Sequence, residues 1–413
     1  MTEWESVRLG EALSVSHGFA FRGEFFREEG DLIILTPGNF REAGGFKQKS
    51  GKEKYYTGSF PNEFLLAKSQ VVVAMTEQSK GLLGSSATIP DDNKYLHNQR
   101  IGLVHIEDPR RLDLRFAYHL LNAPYVRQQI QATATGSKVR HTAPKRIEAI
   151  VALLPNIRFQ RQIAYALDSL EDLIENNRRR IEILEEIARL LYREWFVHFR
   201  FPGHEDVDMV DSVLGPIPEG WDVHSFSDLA AFVNGFAFKP DHWLDEGLPI
   251  IKIKELKNGV TTDTPRYDGA DIGDKYFIDN GAVLFSWSAD LKAYVWAHGP
   301  ALLNQHLFDV RPNEVSRLFI FHALNGRMDE FQARAQGTTM KHIKRSALRE
   351  VRVALPPVEL RDEFESMARP MLDLQLILSS QTQALREARD LLLPRLVSGE
   401  LDVSELDLDL VPV

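Results

Sequence analysis

The sequence predicts an α+β protein: two tandem α/β domains, each followed by a long α-helix, with the two helices pairing as a coiled-coil spacer. Three observations carry this reading. A set of motifs occurs twice in the same order. Two stretches of about 40 residues keep a heptad of apolar positions, and short apolar runs broken by Gly, Pro, Asn and Asp fill the remainder.

The duplication is explicit. Trp4 and the run Gly18-Phe19-Ala20-Phe21-Arg22 recur 217 positions later as Trp221 and Gly235-Phe236-Ala237-Phe238-Lys239. Asn98-Gln99 recurs as Asn304-Gln305 at an offset of 206, and His119 with Leu121-Asn122 as His322 with Leu324-Asn325 at 203. Gly136, His141 and Leu154-Pro155 return as Gly337, His342 and Leu355-Pro356, all at 201. Preserved order with a falling offset describes a second copy with shortened loops. The period is far beyond the roughly 20–50 residues of a solenoid, so the repeat is a duplicated domain, built to engage two similar things.

A length of 413 residues agrees with two domains at about 150 residues each plus connecting helices. The 44% hydrophobic content is enough to build a core in each copy. No run reaches the roughly 18 apolar residues of a membrane helix, and Met1-Thr2-Glu3-Trp4-Glu5 lacks the apolar stretch of a signal peptide. The absence of cysteine removes disulfides, zinc–thiolate sites and thiol nucleophiles, and is compatible with a cytoplasmic location. A net charge of −10 opposes general attraction to nucleic acid, so the placement of positive charge decides that question.

Taken in order, domain 1 occupies residues 1–156. It has strands expected at 32–35 and Val71–Ala74, a helix at Leu114–Asn122, and a closing strand at 152–155. The first long helix, 157–201, carries Ile163, Leu167, Leu170, Ile174, Asn177, Ile181, Leu184, Ala188, Leu191 and Trp195 at alternating steps of four and three, with charged residues between. Residues 202–218, rich in Asp, Gly and Pro, form a linker. Domain 2, 219–357, repeats the pattern with a strand at 282–285, a helix at 316–325 and a closing strand at 353–356. In the second helix, 358–399, the spacing points to Phe364, Met367, Met371, Leu374, Leu378, Gln381, Leu385, Ala388 and Leu392 as its seam. Pro370 is expected to start or kink this helix, and 400–413 is an acidic tail. A helix of about 40 residues is a rod of roughly 60 Å, which makes the pair a spacer.

Each seam holds one amide near its midpoint, Asn177 and Gln381. If the helices pair antiparallel, midpoint meets midpoint and the two amides are expected to hydrogen-bond and lock the register; a parallel pair would also bring them close. The alternative is that one of them sits solvated at the rim.

The candidate binding residues are in loops. Gly136-Ser137-Lys138-Val139-Arg140-His141 continues through Lys145-Arg146 with four cations and no acid. Its counterpart, Gly337-Thr338-Thr339-Met340-Lys341-His342-Ile343-Lys344-Arg345 with Arg349, does the same until Glu350. Glycine and hydroxyl residues let backbone amides approach an anion, and Lys, Arg and His supply charge and base-edge donors. A solvated basic loop explains one copy. Recurrence in both copies of an acidic protein favours nucleic-acid contact. Asn98-Gln99-Arg100 and Asn304-Gln305-His306 offer amides suited to adenine and cations suited to guanine or phosphate, or else hydrogen-bonders at strand ends. The Gly-Phe-Ala-Phe runs read as core. Asn122-Ala123-Pro124-Tyr125 superficially matches an amino-methyltransferase motif but lacks its first proline, and its repeat partner is Asn325-Gly326-Arg327-Met328, so it is a decoy. No catalytic constellation, cofactor loop or metal-ligand spacing is present in the sequence.

With these features in order, the chain resembles the specificity subunit of a type I restriction–modification system over nearly its full length. The half-duplicated layout, the Gly-Ser/Thr loops leading to Leu-Pro, Gln162-Ile163-Ala164, Glu175-Asn176-Asn177, Trp195-Phe196 and the run from Leu392 through Leu401 carry the resemblance. It implies that the two domains are target-recognition domains, each reading half of a bipartite double-stranded DNA sequence, with antiparallel helical spacers between them. It also implies a non-catalytic DNA-binding chain in the cytoplasm. Its partners would be two adenine-methylating modification subunits and restriction/translocase subunits, with S-adenosylmethionine, ATP and Mg bound by those partners and none by this chain. The rival reading is a duplicated coiled-coil scaffold that organises protein partners without touching DNA. Net acidity favours it, and the paired basic loops oppose it.

Overall fold

The computed structural model describes residues 4–49, 51–77, 81–136, 139–261, 263–337 and 342–401. They divide into two compact units: residues 1–172 with 386–413, and residues 173–385. Among the described residues no helix is long and apolar enough to cross a membrane.

The central sheet of unit 1 is antiparallel, in the order Leu13–His17, Ile101–Ile106, Val71–Ala74, Ser86–Thr88. A second sheet orders Phe26–Arg27, Tyr55–Tyr56, Ile33–Ile34, Tyr95–Leu96 and Leu65–Leu66, with a parallel pairing of Ile33 to Tyr95. Unit 2 repeats both. Its central sheet runs Ala230–Asn234, Leu307–Pro312, Val283–Ser286, Lys292–Val295, and its smaller sheet has the same parallel pairing at Ile250 and Leu302. The strand that ends in Leu-Pro returns to pair with the first strand of its domain, Glu5 opposite Leu154 and Asp222 opposite Leu355. This joins the two ends of each domain just before its long helix begins.

The helix Leu114–Asn122 starts where the Asp113 carboxylate accepts from the amides of Arg115 and Phe116, and its counterpart Arg317–Gly326 where the Ser316 hydroxyl accepts from Phe319. The asparagine singled out by the repeat stands at or next to the end of each helix, Asn122 and Asn325. Buried Asn122 accepts from the Ser86 amide at 3.0 Å and donates to the Ser86 carbonyl at 3.3 Å; Asn325 holds Ala293 in the same way at 3.1 and 3.2 Å. A side-chain amide mimics a strand neighbour and closes the edge of the sheet. Asn122 and Asn325 are thus structural residues.

The long helices span Ile157–Phe196 and Val358–Val397. In unit 1, Ile163, Ala164 and Leu167 from the start of the first share a core with Leu393, Leu396 and Val397 from the end of the second. In unit 2, Tyr192, Trp195 and Phe196 from the end of the first meet Phe364, Ala368 and Leu372 from the start of the second. Start against end in each unit is antiparallel packing. Every seam position expected in the first helix is buried or half-buried, Asn177 among them.

The second seam keeps Phe364, Met371, Leu374, Leu378, Leu385, Ala388 and Leu392 buried or half-buried, as expected, and departs from expectation at two positions. Met367 is 45% exposed and Gln381 is exposed, while Ala368, Leu372, Thr382 and Arg389 are buried. The buried Thr382 hydroxyl is satisfied by the Leu378 carbonyl at 2.7 Å, and buried Arg389 by Asp390 at 2.7 Å and Glu171 at 3.6 Å. An amide exposed to water has no desolvation cost to recover by pairing, so Gln381 is the solvated rim residue and the expected Asn177–Gln381 lock is not formed through it. The helix also runs unbroken through Pro370, which is exposed. A proline removes a single backbone donor, and the buried Ala368 and Leu372 on either side hold the chain helical. Residues 209–218 of the expected linker form a hairpin, Met209–Ser212 against Gly215–Pro218. Within the tail, 402–413 lies outside the described residues.

Candidate nucleic-acid interface

The two motifs that recur first and second in the chain are one structural piece. Past the first central strand, the amide of Phe19 donates to the His97 carbonyl at 2.8 Å, and Gln99 donates back to the Phe19 carbonyl at 3.1 Å. In unit 2, Phe236 bonds Leu303 at 2.8 Å and Gln305 bonds Phe236 at 2.9 Å. The preceding glycine permits this approach. A Cβ on Gly18 would lie 2.3 Å from the Asn98 carbonyl oxygen, and one on Gly235 2.2 Å from that of Asn304. The phenylalanines pack on each other, Phe19 on Phe21 and Phe236 on Phe238, with centroids 5.1 and 5.0 Å apart.

Asn98 and Asn304 are buried, and each side-chain oxygen accepts the backbone amide two residues on, Arg100 at 3.1 Å and His306 at 3.4 Å. They are turn-forming residues at strand ends. The turn they build presents Gln99 and Arg100 in unit 1, and Gln305 and His306 in unit 2, all exposed.

The basic loop is brought to this turn by a segment the sequence reading did not single out. In unit 1, Met75 accepts on one side and donates on the other: its amide bonds the Arg100 carbonyl at 3.0 Å and its carbonyl takes the Thr142 amide at 2.9 Å. Thr76 pairs with His141, and its hydroxyl lies 3.1 Å from the His141 Nδ1. Unit 2 repeats the arrangement with Trp287 and Ser288. Ile343 donates to the Trp287 carbonyl at 3.0 Å, Ser288 pairs with His342, and the Trp287 ring sits 5.7 Å from that of His306. Thr76 and Ser288 are 212 positions apart, between the offsets of the flanking motifs; the falling offset was the available signal.

Both loops open on a glycine in the left-handed region, Gly136 at φ 101° and Gly337 at φ 104°. A Cβ at Gly136 would meet the Val139 carbonyl oxygen at 2.1 Å. The loop base is a two-residue bridge, Thr135 with His141 and Gln336 with His342. Ser137, Lys138, Thr338, Thr339 and Lys341 lie outside the described residues.

Several cations expected to face a ligand hold the loop instead. Arg140 donates to the Gln131 carbonyl and lies 3.5 Å from Glu77. Arg146 donates to the Thr133 carbonyl at 2.8 Å and the Thr135 hydroxyl at 3.1 Å. Arg345 donates to the Phe232 carbonyl at 2.9 Å beside the Phe308 ring, whereas Lys145, paired with Glu148 at 2.8 Å within its own helix, remains exposed. A guanidinium has five donors in a fixed fork, so it suits the free carbonyls where a helix or strand ends. Gln99, Arg100 and His141 in unit 1, with Gln305, His306 and Lys344 in unit 2, present exposed polar groups around the same junction.

A family model described as type I restriction modification DNA specificity domain matches residues 1–186 and again 218–362. The chain is 25% identical over 301 residues to the type I restriction enzyme MjaIX specificity subunit of Methanocaldococcus jannaschii, covering 70% of each. It is 26% identical over 199 residues to the EcoBI specificity subunit of Escherichia coli, covering 46% of this chain and 41% of that one. The crystal structure of a type I restriction–modification S subunit from M. genitalium superposes with a TM-score of 0.58 at 16% identity, covering 98% of this chain and 97% of the other.

Proposed function

The chain belongs to the type I restriction modification DNA specificity family, and from that premise we propose that each unit reads one half of a bipartite DNA target. It is a DNA-recognition subunit with two specificity domains. The observation that carries the finer reading is the site built twice. The same glycine-permitted turn, the same hydroxyl-bearing segment and the same left-handed glycine loop meet in both units, presenting Gln99, Arg100 and His141 in one and Gln305, His306 and Lys344 in the other. Amide and cationic side chains at one junction have the donors and acceptors to read base edges while backbone amides and Lys or Arg take phosphates. Two similar sites with different side chains suit two different half-sequences.

In this reading the chain itself performs no bond-making step. It acts in the cytoplasm and positions two adenine-methylating modification subunits and the restriction/translocase subunits, which bind S-adenosylmethionine, ATP and Mg. The test is an exchange of residues 1–156 for the first domain of another family member, followed by sequencing of methylated adenines. One half of the methylated sequence is expected to change and the other to persist. A folded chimera that alters both halves, or neither, overturns the assignment of one half-site to each unit.

A further inference from the structure

Unit 2 carries a pocket that none of the segments above uses. It encloses about 240 Å³ over an apolar floor of Phe201, Trp221 and Leu360, the two rings 5.5 Å apart. Its rim is three exposed carboxylates, Glu219, Glu359 and Glu363, none of which has an ion-pair partner among the described residues. The arginines nearest in sequence are committed elsewhere: Arg200 to Glu194 at 2.6 Å, and Arg361 to the Glu314 carbonyl at 2.9 Å.

The surroundings have the same character. Val207 and Glu219, which flank the hairpin Met209–Pro218, line the pocket, and the hairpin exposes Met209, Val210 and Val213, the last at 76%. Residues 203–222 contain six acids and no Lys or Arg. The matching positions of unit 1 do not repeat this rim. At the 201 offset, Glu359, Leu360 and Glu363 correspond to Arg158, Phe159 and Gln162, so the apolar residue is kept while one acid is reversed and another neutralised.

We propose that this pocket seats a Lys or Arg side chain from a basic, apolar segment of a protein partner, giving unit 2 a docking surface whose acidic rim the matching positions of unit 1 do not repeat. Three uncompensated carboxylates repel phosphate, which excludes nucleic acid as the occupant. A long cationic side chain gains from both parts of the site: its alkyl stem covers Leu360 and the aromatic floor, and its charged head meets the rim. The exposed Met209, Val210 and Val213 offer apolar contact to the residues beside it.

The full chain is titrated with fluorescein-labelled acetyl-Leu-Arg-Lys-Leu-Arg-Lys-Leu-amide and with the same peptide carrying Glu at every cation, read by anisotropy. The basic peptide is expected to bind and the acidic one not. Glu219→Gln with Glu359→Gln and Glu363→Gln should weaken binding about tenfold or more. Glu359→Arg, which installs the unit 1 residue, should do the same in a second, independent variant. A control of Glu28→Gln, Glu29→Gln and Asp31→Asn, exposed acids of unit 1, should leave affinity unchanged. DNA binding by all variants is measured in parallel, so a failure of the DNA reading registers separately. No binding by the parent chain, full binding by the Gln and Arg variants, or equal loss in the control overturns the proposal.

Discussion

Replacing Gly18 by Ala adds a single methyl group where there is no room for it. The new Cβ would lie 2.3 Å from the Asn98 carbonyl oxygen, 2.4 Å from its carbon and 2.4 Å from the His97 carbonyl oxygen, where real Cβ contacts stay above 3.0 Å. All three are backbone atoms, so no rotamer change relieves the clash and the turn must retreat by roughly 1 Å. That retreat stretches the 2.8 Å bond from Phe19 to His97 and the 3.1 Å bond from Gln99 to Phe19. Two hydrogen bonds at about 0.5–1.5 kcal/mol each, with at least one buried group left unpaired, give about 2–4 kcal/mol of destabilisation in unit 1. The turn that moves is the one bearing Gln99 and Arg100, so recognition of one half-site is expected to fall with it. Urea unfolding measures the first effect. Binding to duplexes with one half-site or the other scrambled measures the second. Gly235→Ala, with its Cβ 2.2 Å from the Asn304 oxygen, should reproduce both effects on the opposite half. The reasoning is refuted if Gly18→Ala stays within about 0.5 kcal/mol of the parent, or if it damages both half-sites equally.

Arg100 is exposed with no ion pair among the described residues, so Arg100→Ala should leave stability within about 0.5 kcal/mol. It should lower the salt slope of DNA binding by about one, or cost about 1–3 kcal/mol at one base; unchanged affinity and slope would count against the interface. Arg146→Ala, which removes the donor to the Thr133 carbonyl, should instead lower the melting temperature, and a variant as stable as the parent would show that Arg146 is no latch. Burial pushes His97 and His322 each down to about 4, against about 6.5 in the unfolded chain. The unfolded state therefore binds more protons between these values: stability is full above about pH 6.5 and falls as pH drops toward 4, by up to about 3 kcal/mol per histidine. His322→Phe should flatten that decline in unit 2, and an unchanged slope in urea titrations from pH 7 to 4.5 would argue against it. Gln381→Leu, at an exposed site, should leave both stability and the permitted spacing between half-sites unchanged. Asn177→Leu, in the buried seam, should relax that spacing; the reverse outcome would restore Gln381 as the register residue.

The duplication, the strand Val71–Ala74, the helix Leu114–Asn122 and the whole seam of the first long helix were legible in the amino-acid order. Each depends on spacing within one element, and hydrophobic periodicity records such spacing directly. The second helix shows where that ends. Its expected seam is buried or half-buried except at Met367 and Gln381, where the surfaces packed against the helix bury the adjacent Ala368 and Thr382 instead. Periodicity names the candidate faces, but the partner surface chooses between them.

The site divides in the same way. The repeated loops identified the right region, because a left-handed glycine followed by cations leaves a local signature at Gly136 and Gly337 alike. What each cation does was not local. Arg146 reaches the Thr133 carbonyl, Arg345 the Phe232 carbonyl, and the Met75–Thr76 segment joins the Gln99–Arg100 turn to His141. The sequence by itself determined that two copies of one reading element exist and which loops belong to them. Only the tertiary structure decided which side chains hold the loop and which are left exposed, because a guanidinium is claimed by whichever free carbonyl the fold brings within its reach.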